Sequence, residues 1–432
     1  MNNIQQHIGQ HDATYNISIQ PPTSLNGNVE IPTSKSIANR SIVIDALSNN
    51  TSTFQGAVNC DDVAVMLNGI KGGTCELDIM ASGTAMRFLT AYWSIQPNST
   101  HILTGTERMK QRPIKVLVDS LRTLGADIEY MEKEGYPPLK INGKALEGGT
   151  VTMPADVSSQ YVSALLMVAP FFAKGLTLTL KGTIASRSYI DLTIDIMTSC
   201  GAKVHWTDVD TIKVEPKRYK ATQRMIENDW TSASYWYLHL VLSDCQEAQI
   251  TMKGLSESSK QGDSVVRYLF SLLGIKTAFI KESADNDMAK VVLSKDKKKV
   301  SMLHYDFINA PDLAQTMVVA CVAMGIPFRF TGLSTLKIKE TNRITALQSE
   351  LLKLGFVVNN DKNDELSWNG ERCDVTSTDI NTFEDHRMAL AFSAFAYLFP
   401  NITINAANVV SKSYPHFWSD LESLGYLLKV KS

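Results

Sequence analysis

A phrase that recurs along the chain constrains its fold more than any other feature: a helix-patterned stretch, a glycine, then a short segment that reads as strand. The copies are SLRTLGADIEY around Gly125, IMTSCGAKVHW around Gly201, LFSLLGIKTAF around Gly274, ELLKLGFVVNN around Gly355 and LESLGYLLKV around Gly425. A looser copy, VMLNGIKGGTCEL, surrounds Gly69. Many helices end on a left-handed residue, which a Cβ makes costly, so glycine is the natural stop. The alternation that follows, as in Ala126-Asp127-Ile128-Glu129-Tyr130, suits a half-buried strand. The last five phrases recur at intervals of roughly 70 to 80 residues, too long for a solenoid repeat and right for a subdomain of two helices and several strands. Any α/β chain yields some helix-glycine-strand junctions. Six copies predict a pseudo-repetitive α/β (α+β) protein.

At 432 residues the chain exceeds one ordinary domain, and two are expected. Its 42 basic and 44 acidic side chains leave a formal net charge of −2. That balance lacks the basic excess of a nucleic-acid binder, so any basic site must be a local concentration. Six scattered cysteines, none in a CxxC pair, predict neither a disulfide framework nor a zinc site and fit a reducing compartment. The opening MNNIQQHIGQHDATYNISIQPP lacks the pattern of a signal peptide, and no apolar run reaches the roughly 18 to 20 residues of a membrane span. A cytoplasmic enzyme with no membrane partner is predicted. The lysine-rich stretch ESADNDMAKVVLSKDKKKV reads as a solvated hairpin or edge.

The chemistry gathers at helix starts, where unpaired N–H groups and the helix dipole favour anions. Lys35, Ser36 and Arg40 lie in PTSKSIANR, ahead of the apolar SIVIDALS. Ala81-Ser82-Gly83-Thr84 runs into another apolar helix, and a glycine there lets a ligand approach the backbone. Arg108, Lys110 and Arg112 precede an amphipathic helix. Ser158, Ser159 and Gln160 open YVSALLMVAPFFA and can cap that helix or read a polyhydroxylated substrate. Ser186, Arg187 and Tyr189 form a polar cluster before a further helix. Asp312 follows Pro311 at a helix start, where the dipole is expected to keep it ionised. In KIKETNR, Lys339 adjoins Glu340, with Arg343 one turn on. Glu384-Asp385-His386-Arg387 precedes an apolar helix, and Lys412 lies in VSKSYPHFW. Each segment alone is explained by capping or a solvated surface. Together they predict basic and small polar residues meeting in one cleft between two lobes.

In this order, and over nearly the whole chain, the segments resemble the 5-enolpyruvylshikimate-3-phosphate synthase family. SKSIANR is similar to the family's SKSxxNR, and SGTAMR to its NAGTAMR. RMKQRP, SSQ, SRSYID, DWTSASY, QGD, PD, KETNR and DHRMA each have a counterpart. The resemblance implies two domains, residues 1–33 with 229–432 and residues 34–228, in an inside-out α/β barrel. Each domain would hold three of six βαβαββ-like units, with the active site between them. It implies transfer of the enolpyruvyl group of phosphoenolpyruvate to the 5-hydroxyl of shikimate 3-phosphate, releasing phosphate. Lys35, Ser36, Arg40, Ser158, Ser159, Gln160, Ser186, Tyr189, Asp312 and Lys339 would hold shikimate 3-phosphate. Lys35, Gly83, Arg112, Gln160, Arg343, Arg387 and Lys412 would hold phosphoenolpyruvate. Asp312 would act as base on the hydroxyl and Glu340 in proton transfer at the methylene carbon, with Lys35 and His386 completing the catalytic set. No metal or organic cofactor is implied, and a monomer is expected. Departures at Ala81, Ser82, Phe88 and Thr335 bear on the fine shape of the phosphoenolpyruvate pocket and remove no charged group. The related transferase acting on UDP-N-acetylglucosamine opens with a Lys-Asn pair and uses a loop cysteine, whereas this chain has Lys35-Ser36. A catalytically dead anion binder is opposed by the intact Lys35, Asp312, Glu340, His386 and Lys412.

Overall fold

The computed structural model describes residues 14–48, 60–156, 158–281, 287–297, 300–360, 362 and 364–431. Two compact units result, one formed by the chain up to Thr33 together with Glu227 onward, the other by Ser34–Ile226. Each has its own apolar core.

One connectivity recurs. In the Ser34–Ile226 unit, Glu76–Asp78 and Thr100–Thr104 pair in parallel, joined by the helix Gly83–Ser94. The helix Lys115–Thr123 follows, then Asp127–Tyr130 and Leu139–Asn142, which pair antiparallel. Leu139–Asn142 lies against Thr100–Thr104, so the spatial order is first, second, fourth, third. Gly149–Pro154, Leu176–Lys181, Val204–Trp206 and Thr211–Val214 repeat that order, with helices Ser159–Val168 and Arg187–Ser199 between.

In the other unit, Asn26–Val29, Gln249–Ser256, Ile275–Lys281 and Met288–Lys295 form the same sheet, with helices Trp230–Leu242 and Val266–Leu273 between. Leu303–Asp306, Phe328–Thr331 and Leu366–Trp368 form a three-stranded version. Here the segment after Gly355 is reduced to isolated bridges at Phe356 and Asn359, where the glycine phrase predicts a strand. The last sheet is Asp379–Ile380, Ile402–Ile404 and Leu427–Lys431 with the early strand Asn16–Gln20, which takes the fourth place. The crossover helices of this unit, Trp230–Leu242, Ala314–Ala323 and His386–Phe392, are buried almost all round, which fits a helix inside a core.

The glycine stops hold at five positions: Gly125, Gly201, Gly274, Gly355 and Gly425 all have φ between +83° and +102°. The sixth is corrected. Gly69 lies inside the helix Asp61–Lys71, and Gly72, at φ +60°, ends it. The strand in the described part of the lysine-rich stretch, Met288–Lys295, pairs antiparallel with Ile275–Lys281 on one side and Gln249–Ser256 on the other, so it is one arm of a hairpin but an inner strand rather than an edge. Residues 282–286, 298 and 299 of it lie outside the described residues, as do residues 1–13 of the opening segment. Among the described residues no helix is long and apolar enough to cross a membrane. All six cysteines are free thiols.

Candidate active site

In the Ser34–Ile226 unit the first helix starts at Lys35, so Lys35, Ser36 and Arg40 lie within its opening turns rather than ahead of it. Ser34 stands at the cap position, yet its side chain makes no capping bond. Lys35 Nζ pairs with Asp62 at 2.9 Å. Arg40 is buried, and its nitrogens donate to neutral oxygens: Nε to Thr193 Oγ1 at 2.6 Å, Nη1 to the Ser36 carbonyl at 2.8 Å, and Nη2 to Ser163 Oγ at 3.1 Å. A longer contact, 3.4 Å, reaches the Tyr189 carbonyl. Burial pushes the guanidinium down to about 10.

Ser82 caps the helix Gly83–Ser94 by accepting from the Ala85 N–H. A Cβ on Gly83 would lie 2.6 and 2.8 Å from the two terminal nitrogens of Arg112 and 2.8 Å from Arg87 Nη1. Only glycine leaves room for both guanidinium groups at this helix start. Ser158 caps the helix beginning at Ser159 by accepting from the Gln160 N–H, and Gln160 Nε2 donates to Thr84 Oγ1 at 2.9 Å. That bond joins the SGT and SSQ segments, 76 residues apart. Ser186 takes a left-handed conformation, φ +56°, immediately before the helix that carries Arg187 and Tyr189.

The other unit assembles a denser cluster. Asp312 accepts from Arg343 Nη1 at 2.9 Å and Arg387 Nη2 at 2.8 Å, with Lys339 Nζ 3.6 Å away. Glu340 accepts from Arg343 Nη2 at 2.9 Å and Lys412 Nζ at 2.8 Å. Asp385, fully buried, accepts from Arg343 Nε at 2.7 Å. Four cations thus interlock with three carboxylates.

One expectation is corrected here. Lys339 has extended backbone before the helix Arg343–Lys353, so it meets Arg343 through Asp312 and not along a helical turn. Asp312 is held well below the usual carboxylate range, as its expected ionised state requires, and the neighbouring cations account for it. Burial alone would raise it, and Arg387, Lys339 and Arg343 together outweigh burial. Lys339 in turn is lowered, chiefly by burial.

Behind this cluster, Asp263 is buried and accepts from the Thr231 hydroxyl. Burial, with the charge of Asp312, pushes it up to about 7. Arg387 Nη1 donates to Tyr235 Oη at 3.4 Å. His386 is buried with Nδ1 3.9 Å from Asp385 Oδ1.

A sequence model described as EPSP synthase (3-phosphoshikimate 1-carboxyvinyltransferase) matches residues 19–73 and 70–421. A 3-phosphoshikimate 1-carboxyvinyltransferase from Bacteroides fragilis (strain YCH46) is 46% identical over 414 residues, covering 95% of this chain and 98% of that protein. The chain belongs to the EPSP synthase family. A relative from Aliivibrio fischeri (strain ATCC 700601 / ES114) with the same name is 32% identical, covering 94% of this chain and 99% of its own length. An EPSP synthase structure from Acinetobacter baumannii superimposes with a TM-score of 0.76 over 97% of this chain and 100% of that one. At 20% identity it shows the shared mixed α/β fold.

Sequence reasoning missed Asp385 and Asp263 as members of the site, and with them Thr231 and Tyr235. Thr231 and Tyr235 stand in DWTSASY, Asp263 in QGD and Asp385 in DHRMA, so each segment was visible as a motif. What was not visible is that Asp385 meets Arg343, that Tyr235 meets Arg387, and that Thr231 meets Asp263, whose carboxyl feels the charge of Asp312.

Proposed function

We propose that this chain is a carboxyvinyl transferase of the shikimate pathway, passing the enolpyruvyl group of phosphoenolpyruvate to the 5-hydroxyl of shikimate 3-phosphate. The observation that carries the reading is the interlocked set Lys339, Arg343, Arg387 and Lys412 with Asp312, Glu340 and Asp385. Cations alone make an anion site. Carboxylates held at the same nitrogens add groups able to move protons.

Asp312 takes the 5-hydroxyl proton as that oxygen bonds to C2 of phosphoenolpyruvate, and Glu340 delivers a proton to the methylene carbon. The tetrahedral intermediate then loses phosphate, which leaves with the proton from Asp312, while Glu340 recovers a proton from the same carbon. His386 supports this proton traffic, and Lys35 completes the catalytic set. Asp312 is a weak base while its cations are unscreened. Substrate phosphate and carboxylate arriving on those cations loosen that hold and make Asp312 more basic.

Shikimate 3-phosphate is assigned to Lys35, Ser36, Arg40, Ser158, Ser159, Gln160, Ser186, Tyr189, Asp312 and Lys339. Phosphoenolpyruvate is assigned to Lys35, Gly83, Arg112, Gln160, Arg343, Arg387 and Lys412. Both substrates are polyanions, and the chemistry needs no metal or organic cofactor. The finer fold reading is an inside-out α/β barrel of six βαβαββ-like units, three in each domain. Three four-stranded sheets of one order, a three-stranded version and a last sheet completed by Asn16–Gln20 support it, and a cytoplasmic monomer is the accompanying expectation.

The test is phosphate release by the purified protein supplied with both substrates. Release should require both of them. Binding of both without turnover would leave an inactive anion binder, and release with UDP-N-acetylglucosamine in place of shikimate 3-phosphate would move the chain to the related transferase.

A further inference from the structure

Arg343 is engaged by three carboxylates that differ in one respect. The side chains of Asp312 and Glu340 each keep 15% of their surface exposed, whereas that of Asp385 keeps none. Asp385 takes the inner edge of the guanidinium, Oδ2 accepting from Nε at 2.7 Å and Oδ1 from Nη2 at 3.4 Å. Asp312 and Glu340 take the outer nitrogens. The same Oδ1 of Asp385 accepts from the backbone N–H of Arg387 at 2.9 Å and so caps the helix His386–Phe392. Its approach is shaped by two consecutive left-handed residues, Phe383 at φ +53° and Glu384 at φ +56°, a conformation non-glycine residues rarely adopt. The Asp385 N–H then closes the turn on the Thr382 carbonyl at 2.9 Å.

We infer that Asp385 is a positioning residue for phosphoenolpyruvate, fixing the plane of Arg343 from behind and the backbone from which Arg387 projects. A substrate carboxylate competing for Arg343 can displace the two partly exposed carboxylates, which have water to turn to. It cannot displace Asp385, for which leaving means a buried charge without its guanidinium. Arg343 therefore presents its outer nitrogens in one orientation before and after the exchange, and the ordering cost of a long side chain is met at folding rather than at binding. One carboxylate sets two of the proposed substrate arginines, through a side chain in one case and a main chain in the other.

This inference rests on the functional reading above. Its test compares wild type, Asp385→Asn, Asp385→Ser, Arg343→Ala and the double variant Asp385→Asn/Arg343→Ala, each assayed for kcat and for KM of both substrates. Asparagine and serine can still cap the helix but cannot pair with the guanidinium. Both should raise KM for phosphoenolpyruvate by about tenfold or more, the scale of a lost charge-assisted bond, with a smaller change in kcat. In the Arg343→Ala background, Asp385→Asn should add less than about twofold, because its effect passes through that arginine. Full additivity, an unchanged KM, or loss of folded protein in both cap-keeping variants would overturn the inference, the last by making Asp385 structural only. If wild type itself fails to turn over, the functional reading falls. The same cycle is then read on phosphoenolpyruvate binding by calorimetry, where the same outcomes decide.

Discussion

Arg40 and Arg343 are each 2% exposed, yet their surroundings move them in opposite directions. Burial pushes Arg40 down to about 10, while for Arg343 burial is outweighed by Asp385, Glu340 and Asp312, which hold it above its usual range. Arg40 is held by hydroxyls and carbonyls, and Arg87 in the same unit donates to the carbonyls of Gly83 and Pro113. Neutral partners fix geometry and leave the positive charge uncompensated. Carboxylate partners compensate the charge and must yield when an anion arrives, but they are themselves titratable. Lys35, paired with Asp62, is an exception in the Ser34–Ile226 unit. On the function proposed above, cations with neutral partners serve binding alone, while cations with carboxylate partners serve both binding and proton transfer.

The largest effect expected from this contrast is on turnover at Glu340. Glu340→Gln keeps the shape between Arg343 and Lys412 and removes the ability to move a proton. Turnover should fall by about two orders of magnitude or more, with substrate binding retained. A rate within about tenfold of wild type would erase the division of labour.

A second test asks which carboxyls count as charges. Asp263, pushed up to about 7, should be largely protonated in the native state below that pH. An unfolded aspartate titrates near 4, so between about pH 4 and 7 the native state binds the extra proton and stability falls as pH rises, by at most about 1.4 kcal/mol per pH unit. Thermal melts of Asp263→Asn should lack that component, and the variant should be no less stable than wild type at pH 8. A less stable variant at pH 8 would mean that the charged form of Asp263 is favourably held, as a fourth carboxylate of the cluster, and not disfavoured by burial.

Much of this organisation was legible before the fold was known, for reasons that particular residues make plain. Gly125, Gly201, Gly274, Gly355 and Gly425 announce helix ends because a positive φ selects glycine. Around Gly69 the segment NGIKGG offers three glycines, and only the backbone angle marks Gly72 as the stop. Lys35, Arg343 and Arg387 were found because each opens a helix, and a cation there is conspicuous. Their partners were not legible. Thr193 is 153 residues from Arg40, and Asp385 is 42 from Arg343. A threonine within a helix reads as an ordinary helical residue and an aspartate at a helix start as an ordinary cap, and Asp385 is a cap as well. Its second role exists only once two crossover units pack in one core.

The smallest effect expected is the one that best separates binding from chemistry. At Gly83 an added methyl would collide with Arg112 and Arg87 at 2.6 to 2.8 Å, but these are the far ends of flexible side chains, which can shift. Gly83→Ala should therefore fold normally. Displacing Arg112 from its place over the helix start should raise KM for phosphoenolpyruvate by about tenfold or less, the scale of one weakened charge-assisted contact, and leave kcat within about twofold. Steady-state kinetics with phosphoenolpyruvate varied at saturating shikimate 3-phosphate measures both. Glu340→Gln and Gly83→Ala then form a pair, one moving kcat and the other KM. If Gly83→Ala lowers kcat as much as it raises KM, Arg112 contributes to the transition state as well as to binding, and the two sets of cations do not divide the work as their partners suggest.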